Sequence, residues 1–402
     1  MKEIKELKNG IKFLYKESKN TPRTTLCLNF SLNQEEEIPG LYAVMTRLFM
    51  QGTTNRTAEQ LAKELDEYAI ELICELKSDY LSFKFICLNE DFDKALEIVT
   101  DVIKNTTFDD FKKEITKYEG EIQVAMDSPR TKALEAFYKN IYANHPYGST
   151  ETIILENLEK ITKEDIVNAY KAIRNNSRKV VTVVGDIQNL TGVETSFGDL
   201  EESSKEVVIF HRSPLVETKI IEQTKENLNQ AHIIKGWLVP NYASRKEYAS
   251  LMLLNVILGA SGLSSRLFCE LRDKKGLAYV VRSTYEAALS AANFHIYIAT
   301  EPKNIETALA GFKEEIDKIK SELVPAKELA DAKSNLFGKW AFSLETNQRQ
   351  ASMYGHYGTL HLGFDFLEDA KREIQTITPE DLRECANKYF TDEDYVLSVL
   401  KP

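Results

Sequence analysis

The chain has 402 residues and no histidine before His145, and its six histidines (145, 211, 232, 295, 356, 361) form no HxxxH or HxxEH pair. A hydrolytic zinc centre needs about three N or O ligands around one point, commonly two histidines one helical turn apart plus a carboxylate. His356 and His361 are five apart and point to different faces of a helix. GxGxxG, P-loop, GxSxG and CxxC patterns are missing too. The five cysteines (27, 74, 87, 269, 385) are odd in number and are expected as buried free thiols in a reducing compartment. Basic excess is also lacking: 51 Lys+Arg against 62 Asp+Glu give a net charge of −11. Neither nucleic acid nor a membrane is therefore expected as a partner. The longest apolar run, Tyr248 to Ala260, is broken by Asn255 and is too short to span a bilayer. The charged start, Met1 to Lys8, has no apolar core of a signal peptide, so a cytoplasmic location is expected.

What is present is ordinary globular usage, 43% hydrophobic and 28% charged, at a length that suits two domains. An internal repeat supports that division. Ile161-Thr162-Lys163-Glu164-Asp165-Ile166 matches Ile377-Thr378-Pro379-Glu380-Asp381-Leu382 at an offset of 216, and the same offset carries Val180–Val184 onto Val396–Leu400. Each pair reads as a Thr-capped helix start followed by a β-branched strand. Met126-Asp127-Ser128-Pro129-Arg130 resembles Leu344-Glu345-Thr346-Asn347-Gln348 at an offset of 218. Matches in one order at nearly one spacing imply a duplicated domain. The polar stretch from Gln188 through Pro214 reads as a linker, with room for a short strand at Val207–Phe210. The expected organisation is a domain over 1–187, a linker over 188–218 and a homologous domain over 219–402.

Periodicity predicts strands at 24–32, 69–74, 80–88 and 179–184 in the first half, with helices at 40–50, 58–68, 91–104, 108–126, 130–144 and 163–174. The second half predicts strands at 231–239, 277–285 and 291–300, and helices at 246–258, 264–274, 303–321 and 325–343. Adjacent strand pairs and paired long helices imply an α+β fold, each domain an antiparallel or mixed sheet covered by helices on one face.

The most informative segment is Leu263-Ser264-Ser265-Arg266-Leu267-Phe268-Cys269-Glu270-Leu271-Arg272-Asp273-Lys274-Lys275-Gly276-Leu277-Ala278-Tyr279. It reads as a Ser-capped helix, a Gly276 stop and a strand opening with Tyr279. Arg272 and Tyr279 could converge, offering a cation and a phenol to one carbonyl oxygen. Local physics alone favours the plainer reading, in which Arg272 complements the helix C-terminus and Tyr279 packs in a sheet.

This segment closely resembles the second-half signature of the pitrilysin and mitochondrial-processing-peptidase (M16 metallopeptidase) family, and the resemblance covers essentially the whole chain. Family members carry an early motif GxxHFLEHxxFxGT whose histidines bind zinc. Here the corresponding run is Gly40 to Thr53, in which Gly40, Gly52 and Thr53 match. Ala43 stands at the first ligand, Thr46 at the general base and Arg47 at the second histidine. The family's third ligand, a later Glu, corresponds to Glu121, within Gly120 to Pro129. Arg47 would place a cation where the metal belongs, and Arg47 with Glu121 as an ion pair stands beside a solvated Glu121 as the alternative. His145-Pro146-Tyr147-Gly148 resembles a structural turn of the family.

The resemblance implies an M16-like fold with a degenerate zinc site in the first domain and the substrate-binding Arg/Tyr pair, Arg272 and Tyr279, in the second. In some family members one subunit carries HxxEH and its partner supplies that pair. The implied role is therefore the non-zinc, substrate-binding subunit of a heterodimeric zinc endopeptidase. No cofactor is expected in this chain; zinc is expected in a homologous HxxEH partner, and short or unstructured peptides as substrates. The alternative is a catalytically inactive peptide-binding or scaffold homodimer of the same fold.

Overall fold

The protein is described by a computed structural model over residues 2–210 and 217–402. Strands β1 (Lys2–Glu6), β2 (Lys12–Glu17), β3 (Arg23–Ser31), β4 (Glu71–Leu76), β5 (Tyr80–Leu88) and β6 (Lys179–Gly185) form a six-stranded sheet in the order β1-β2-β6-β3-β5-β4. Strands β7 (Lys219–Thr224), β8 (Ala231–Val239), β9 (Ala278–Ala287), β10 (Ala292–Thr300) and β11 (Tyr395–Lys401) form a five-stranded sheet in the order β7-β11-β8-β10-β9. With β1 set aside, the two orders correspond strand for strand. Each sheet has one parallel pair, β2 with β6 and β7 with β11, and is otherwise antiparallel. The duplication and the mixed α+β sheets expected from the sequence are both present. The matching helix starts are real as well: Thr162 with Asp165, and Thr378 with Asp381, each form a reciprocal capping box.

The sheets are not covered on one face only. Along β3, Leu26, Leu28 and Phe30 face one side while Cys27 and Asn29 face the other, and all five are buried. The first side meets an aromatic cluster in which Phe83 lies 5.9 Å from Phe30 and 4.7 Å from Phe49, with Tyr170 4.9 Å from Phe49. The second side is covered by the helix Asn347–Thr359, which packs on β3 and β6. The five-stranded sheet is likewise covered by the helix Pro129–Ile141, which packs on β8 and β11. A half-by-half reading could not see these layers, because each covering helix comes from the other half of the chain.

Consequently the compact units do not follow the halves. One comprises Met1–Glu121, Ile153–Ile209 and Phe342–Phe366; the other comprises Ile122–Thr152, Phe210–Ala341 and Leu367–Pro402. All strands of the first sheet still lie within 1–187 and all strands of the second within 219–402. The stretch read as a linker holds the helix Thr191–Gly198, while Val207–Phe210 forms no strand. His211 and Pro214 lie outside the described residues. Strands β1, β2 and β7 were not among the expected ones. The helix expected over 264–274 is a 3₁₀ turn, Gly262–Ser264, followed by a wide π-type helix, Phe268–Lys274. The helix Arg245–Asn255 likewise runs into a π-type turn, Val256–Ala260.

All five cysteines are free, but only Cys27, Cys87 and Cys385 are buried; Cys74 and Cys269 are partly exposed. The His145-Pro146-Tyr147-Gly148 segment is a tight turn in which buried His145 accepts, through Nδ1, a hydrogen bond from the Tyr147 amide at 3.2 Å. Among the described residues, no helix is long and apolar enough to cross a membrane.

Candidate functional site

In the first unit the residues at issue sit on the helix Leu41–Leu48. Its start is fixed by Gly40, whose φ of +92° is a left-handed conformation and whose added Cβ would lie 2.7 Å from Ile154 Cγ2. The partly buried Glu36 carboxylate accepts from the Gly40 amide at 2.9 Å and the Tyr42 amide at 2.8 Å, as suits the positive end of a helix. Burial pushes the Glu36 carboxyl above its ordinary value, against the pull of those two amides. Just beyond the helix, Thr53 Oγ1 donates to buried Asp101 at 2.7 Å and accepts from the amides of Asn55 and Arg56. Gly40 and Thr53 of the motif run are thus framework residues.

The face they position carries Ala43, Thr46 and Arg47, spaced as i, i+3 and i+4. Ala43 offers a methyl group. Thr46 turns its hydroxyl back to the Tyr42 carbonyl at 2.7 Å. Arg47 Nη2 donates to Glu121 Oε1 at 2.8 Å, which resolves the ion-pair alternative in favour of the pair. Sequence reasoning missed two further members. Arg47 Nε lies 3.6 Å from Glu114 Oε2, a carboxylate only 5% exposed, and the guanidinium sits 4.7 Å from the Tyr118 ring centroid. Glu114, Tyr118 and Glu121 follow each other at i, i+4 and i+7 on the helix Phe111–Asp127, and that spacing was the available signal.

This arrangement does not fit zinc. Alanine has no donor atom, a guanidinium cannot act as a ligand, and Glu121 is already paired with that guanidinium. Among the described residues no three His, Cys, Asp or Glu side chains come together as a metal site.

In the second unit Arg272 and Tyr279 do converge. The Arg272 guanidinium lies 4.7 Å from the Tyr279 ring centroid and 4.5 Å from that of Phe268, one helical turn earlier. Two structural features create this approach. Gly276 leaves the helix with φ +62°, and the Leu277 amide reaches back to the Leu271 carbonyl at 2.8 Å, one residue wider than the usual helix stop. Thr300 Oγ1 then anchors the Leu277 carbonyl at 2.7 Å, so β9 starts in a fixed place. Tyr279 is 76% exposed. Phe268 was not anticipated as part of the group, although its i, i+4 spacing to Arg272 is in the sequence.

Arg266, on the same stretch, is a control. Its guanidinium is consumed by Glu328 in a bidentate pair at 2.8 and 2.7 Å, which ties this segment to the helix Ala326–Ser343. Among the described residues neither the Arg272 guanidinium nor the Tyr279 hydroxyl has a hydrogen-bond or ion-pair partner. The two rings hold the Arg272 guanidinium by cation–π contact while leaving its five N–H donors available. Such a group can hold a carbonyl or carboxylate oxygen.

Comparison with known proteins bears on both units. A family model described as "Insulinase (Peptidase family M16)" matches residues 12–152, and one described as "Peptidase M16 inactive domain" matches residues 160–336. Among curated relatives, an "uncharacterized zinc protease" of Rickettsia felis is 28% identical over 96% of this chain and 95% of its own length. YmxG of Bacillus subtilis, described in the same words, is 26% identical over 92% of this chain and 90% of its own. Two solved structures share the fold. A protease from Helicobacter pylori has a TM-score of 0.89, at 21% identity over 100% of this chain and 99% of that one. A peptidase M16 inactive domain from Pseudomonas fluorescens has a TM-score of 0.87, at 21% identity over 100% of this chain and 98% of that one.

Proposed function

This chain belongs to the peptidase M16 family, and on that premise we propose that it is the non-zinc, substrate-binding subunit of a heterodimeric M16 endopeptidase acting on short or unstructured peptides. The observation that supports the reading is the contrast between two arginines on one helical stretch. Arg266 is spent on Glu328, whereas Arg272 lies over the Phe268 and Tyr279 rings with its donors open. The first unit, by contrast, has its motif face closed by the Arg47–Glu121 pair.

In this reading the chain binds no zinc of its own. Zinc and the water-activating carboxylate belong to a homologous partner bearing HxxEH, and the pair works in the cytoplasm. Arg272 and Tyr279 hold the oxygen of the scissile carbonyl and strengthen their hydrogen bonds as charge develops on it. Arg272 supplies fixed charge; Tyr279 supplies a phenol donor beside it. The test is kinetic, in the two-chain complex. Arg272→Ala and Tyr279→Phe should each lower kcat/KM by roughly ten- to a thousand-fold, the scale of losing a transition-state donor. If both variants keep the wild-type rate, the role fails and the chain is a scaffold of the same fold.

A further inference from the structure

Strand β9 carries an arginine that the peptidase reading leaves without a role. Arg282 is exposed, stands directly across from Tyr297 on β10, and holds its guanidinium 6.0 Å from that ring's centroid. A second exposed guanidinium, that of Arg130 on the helix Pro129–Ile141, lies 5.2 Å from the same centroid. The ring they share is 3% exposed, and its hydroxyl is held 2.9 Å from His232 Nδ1 on β8. Among the described residues neither Arg130 nor Arg282 has a hydrogen-bond or ion-pair partner. Glu286, four residues along β9 from Arg282, is already taken by Tyr138 and Asn293 at 2.8 and 3.1 Å.

Nothing in the packing asks for two like charges at one ring. Arg130 lies in the first turn of its helix, the positive end, and that turn holds no acid to balance it. At the offset of 218, the matching position on the helix Asn347–Thr359 is Gln348, so the fold is built elsewhere without a cation there. Local rules broken without a compensating contact are expected at functional sites. The ligand must then be an anion, and the donors decide its kind. Pro129 brings no amide, Ser128 Oγ takes that of Thr131 at 3.4 Å, and the Ser128 carbonyl takes that of Lys132 at 3.0 Å. The helix start therefore lacks the nest of free amides that phosphate favours. What it leaves is two guanidiniums, planar forks that match a carboxylate.

We propose that Arg130 and Arg282, seated at Tyr297, bind a carboxylate of an extended peptide substrate. This rests on the peptide-binding reading above and adds a preference to it. Tyr279 and Arg282 are three residues apart on β9, about 10 Å along a strand. A peptide whose scissile carbonyl is held at Arg272 and Tyr279 then presents its carboxylate about three residues from that bond. The carboxylate comes from an Asp or Glu side chain or from the peptide's own C-terminus, since both offer the same two oxygens.

The test is binding of short fluorescent Gly/Ser-rich peptides to the full chain, read by anisotropy. Three probes separate the sources: a peptide with a free C-terminal carboxylate, its C-terminal amide, and that amide carrying one internal Glu. The wild type should bind a carboxylate-bearing probe about ten-fold more tightly than the plain amide, and the probe that gains identifies the source. Arg130→Gln/Arg282→Gln should erase the advantage while leaving the plain amide's affinity and the melting temperature unchanged, because both side chains are exposed. Equal affinity for all three probes, no measurable binding of any, or an advantage that survives the double variant overturns the proposal. The catalytic reading fails separately. If Arg272→Ala abolishes activity of the two-chain complex while the three probes bind alike, that reading stands and the carboxylate site falls. If the double variant loses the preference while Arg272→Ala and Tyr279→Phe stay fully active, the carboxylate site stands and the catalytic role falls.

Discussion

Removing the Arg47 guanidinium while keeping its bulk isolates what it does for the first unit. Arg47→Met leaves Glu114, 5% exposed, facing only the longer approaches of Lys117 Nζ at 3.9 Å and Gln51 Nε2 at 3.4 Å. Taking one partner from a fully buried ion pair costs about 3–5 kcal/mol, because the other charge is left without compensation. Here Arg47 is 23% and Glu121 49% exposed, so water screens the outer half of the network and the expected cost falls to about 2–3 kcal/mol. For a unit of this size that lowers Tm by about 4–12 °C. Removing both members should be milder than removing one, since the stranded carboxylate is the main penalty. Arg47→Met/Glu114→Gln should therefore recover all but about 1 kcal/mol of the loss. The assay is chemical denaturation of the wild type, both single variants and the double variant, read as a cycle. If Arg47→Met stays within about 0.5 kcal/mol of the wild type, the guanidinium is a surface charge and does not hold this site together.

Two further outcomes follow from other parts of the fold. Burial, with Lys77 adding to it, pushes His356 down to about 4, so the unfolded chain takes up this proton first as the solution is acidified. Stability is full above about pH 6.5 and falls toward pH 4, by about 3 kcal/mol from this group; urea titrations should show a shallower fall in His356→Gln, and equal slopes would refute the assignment. In Gly259→Ala the added Cβ would sit 2.1 Å from the Ser283 backbone nitrogen, where the wide turn packs on β9. That contact cannot be relieved by a side-chain rotation, so a stability loss of about 3 kcal/mol is expected, seen as a lower Tm, and an unchanged melt would contradict the packing.

Much of the strand order was legible because its signals are local. Tyr80–Leu88 and Ala231–Val239 match the expected strands residue for residue, the first through alternating aromatic residues and the second through its β-branched and apolar content between turn signals. The capping Thr162 and Thr378 marked two helix starts for the same reason. What escaped was everything that depends on a partner distant in sequence. The helix Asn347–Thr359 has small residues, Ala351, Gly355 and Gly358, where it meets the sheet, so it has no apolar stripe for periodicity to find. The helix Pro129–Ile141 was expected at 130–144, yet its place on the other sheet was not, because a sheet's second face cannot be assigned from the half that contains the sheet. At the sites, single residues were legible and their company was not. Arg272, Tyr279, Arg47 and Glu121 were named from motif positions, whereas Phe268, Glu114 and Tyr118 emerge only once the helices bring them within reach.

The central claim is that this chain contributes half of a catalytic site. It is tested most directly by assaying peptidase activity toward an unstructured peptide with this chain alone, an HxxEH-bearing homologue alone, and the two mixed, alongside the zinc content of each. The account predicts no stoichiometric zinc and no cleavage from this chain alone, and activity that appears only in the mixture. Mixing that adds nothing to either chain would contradict it.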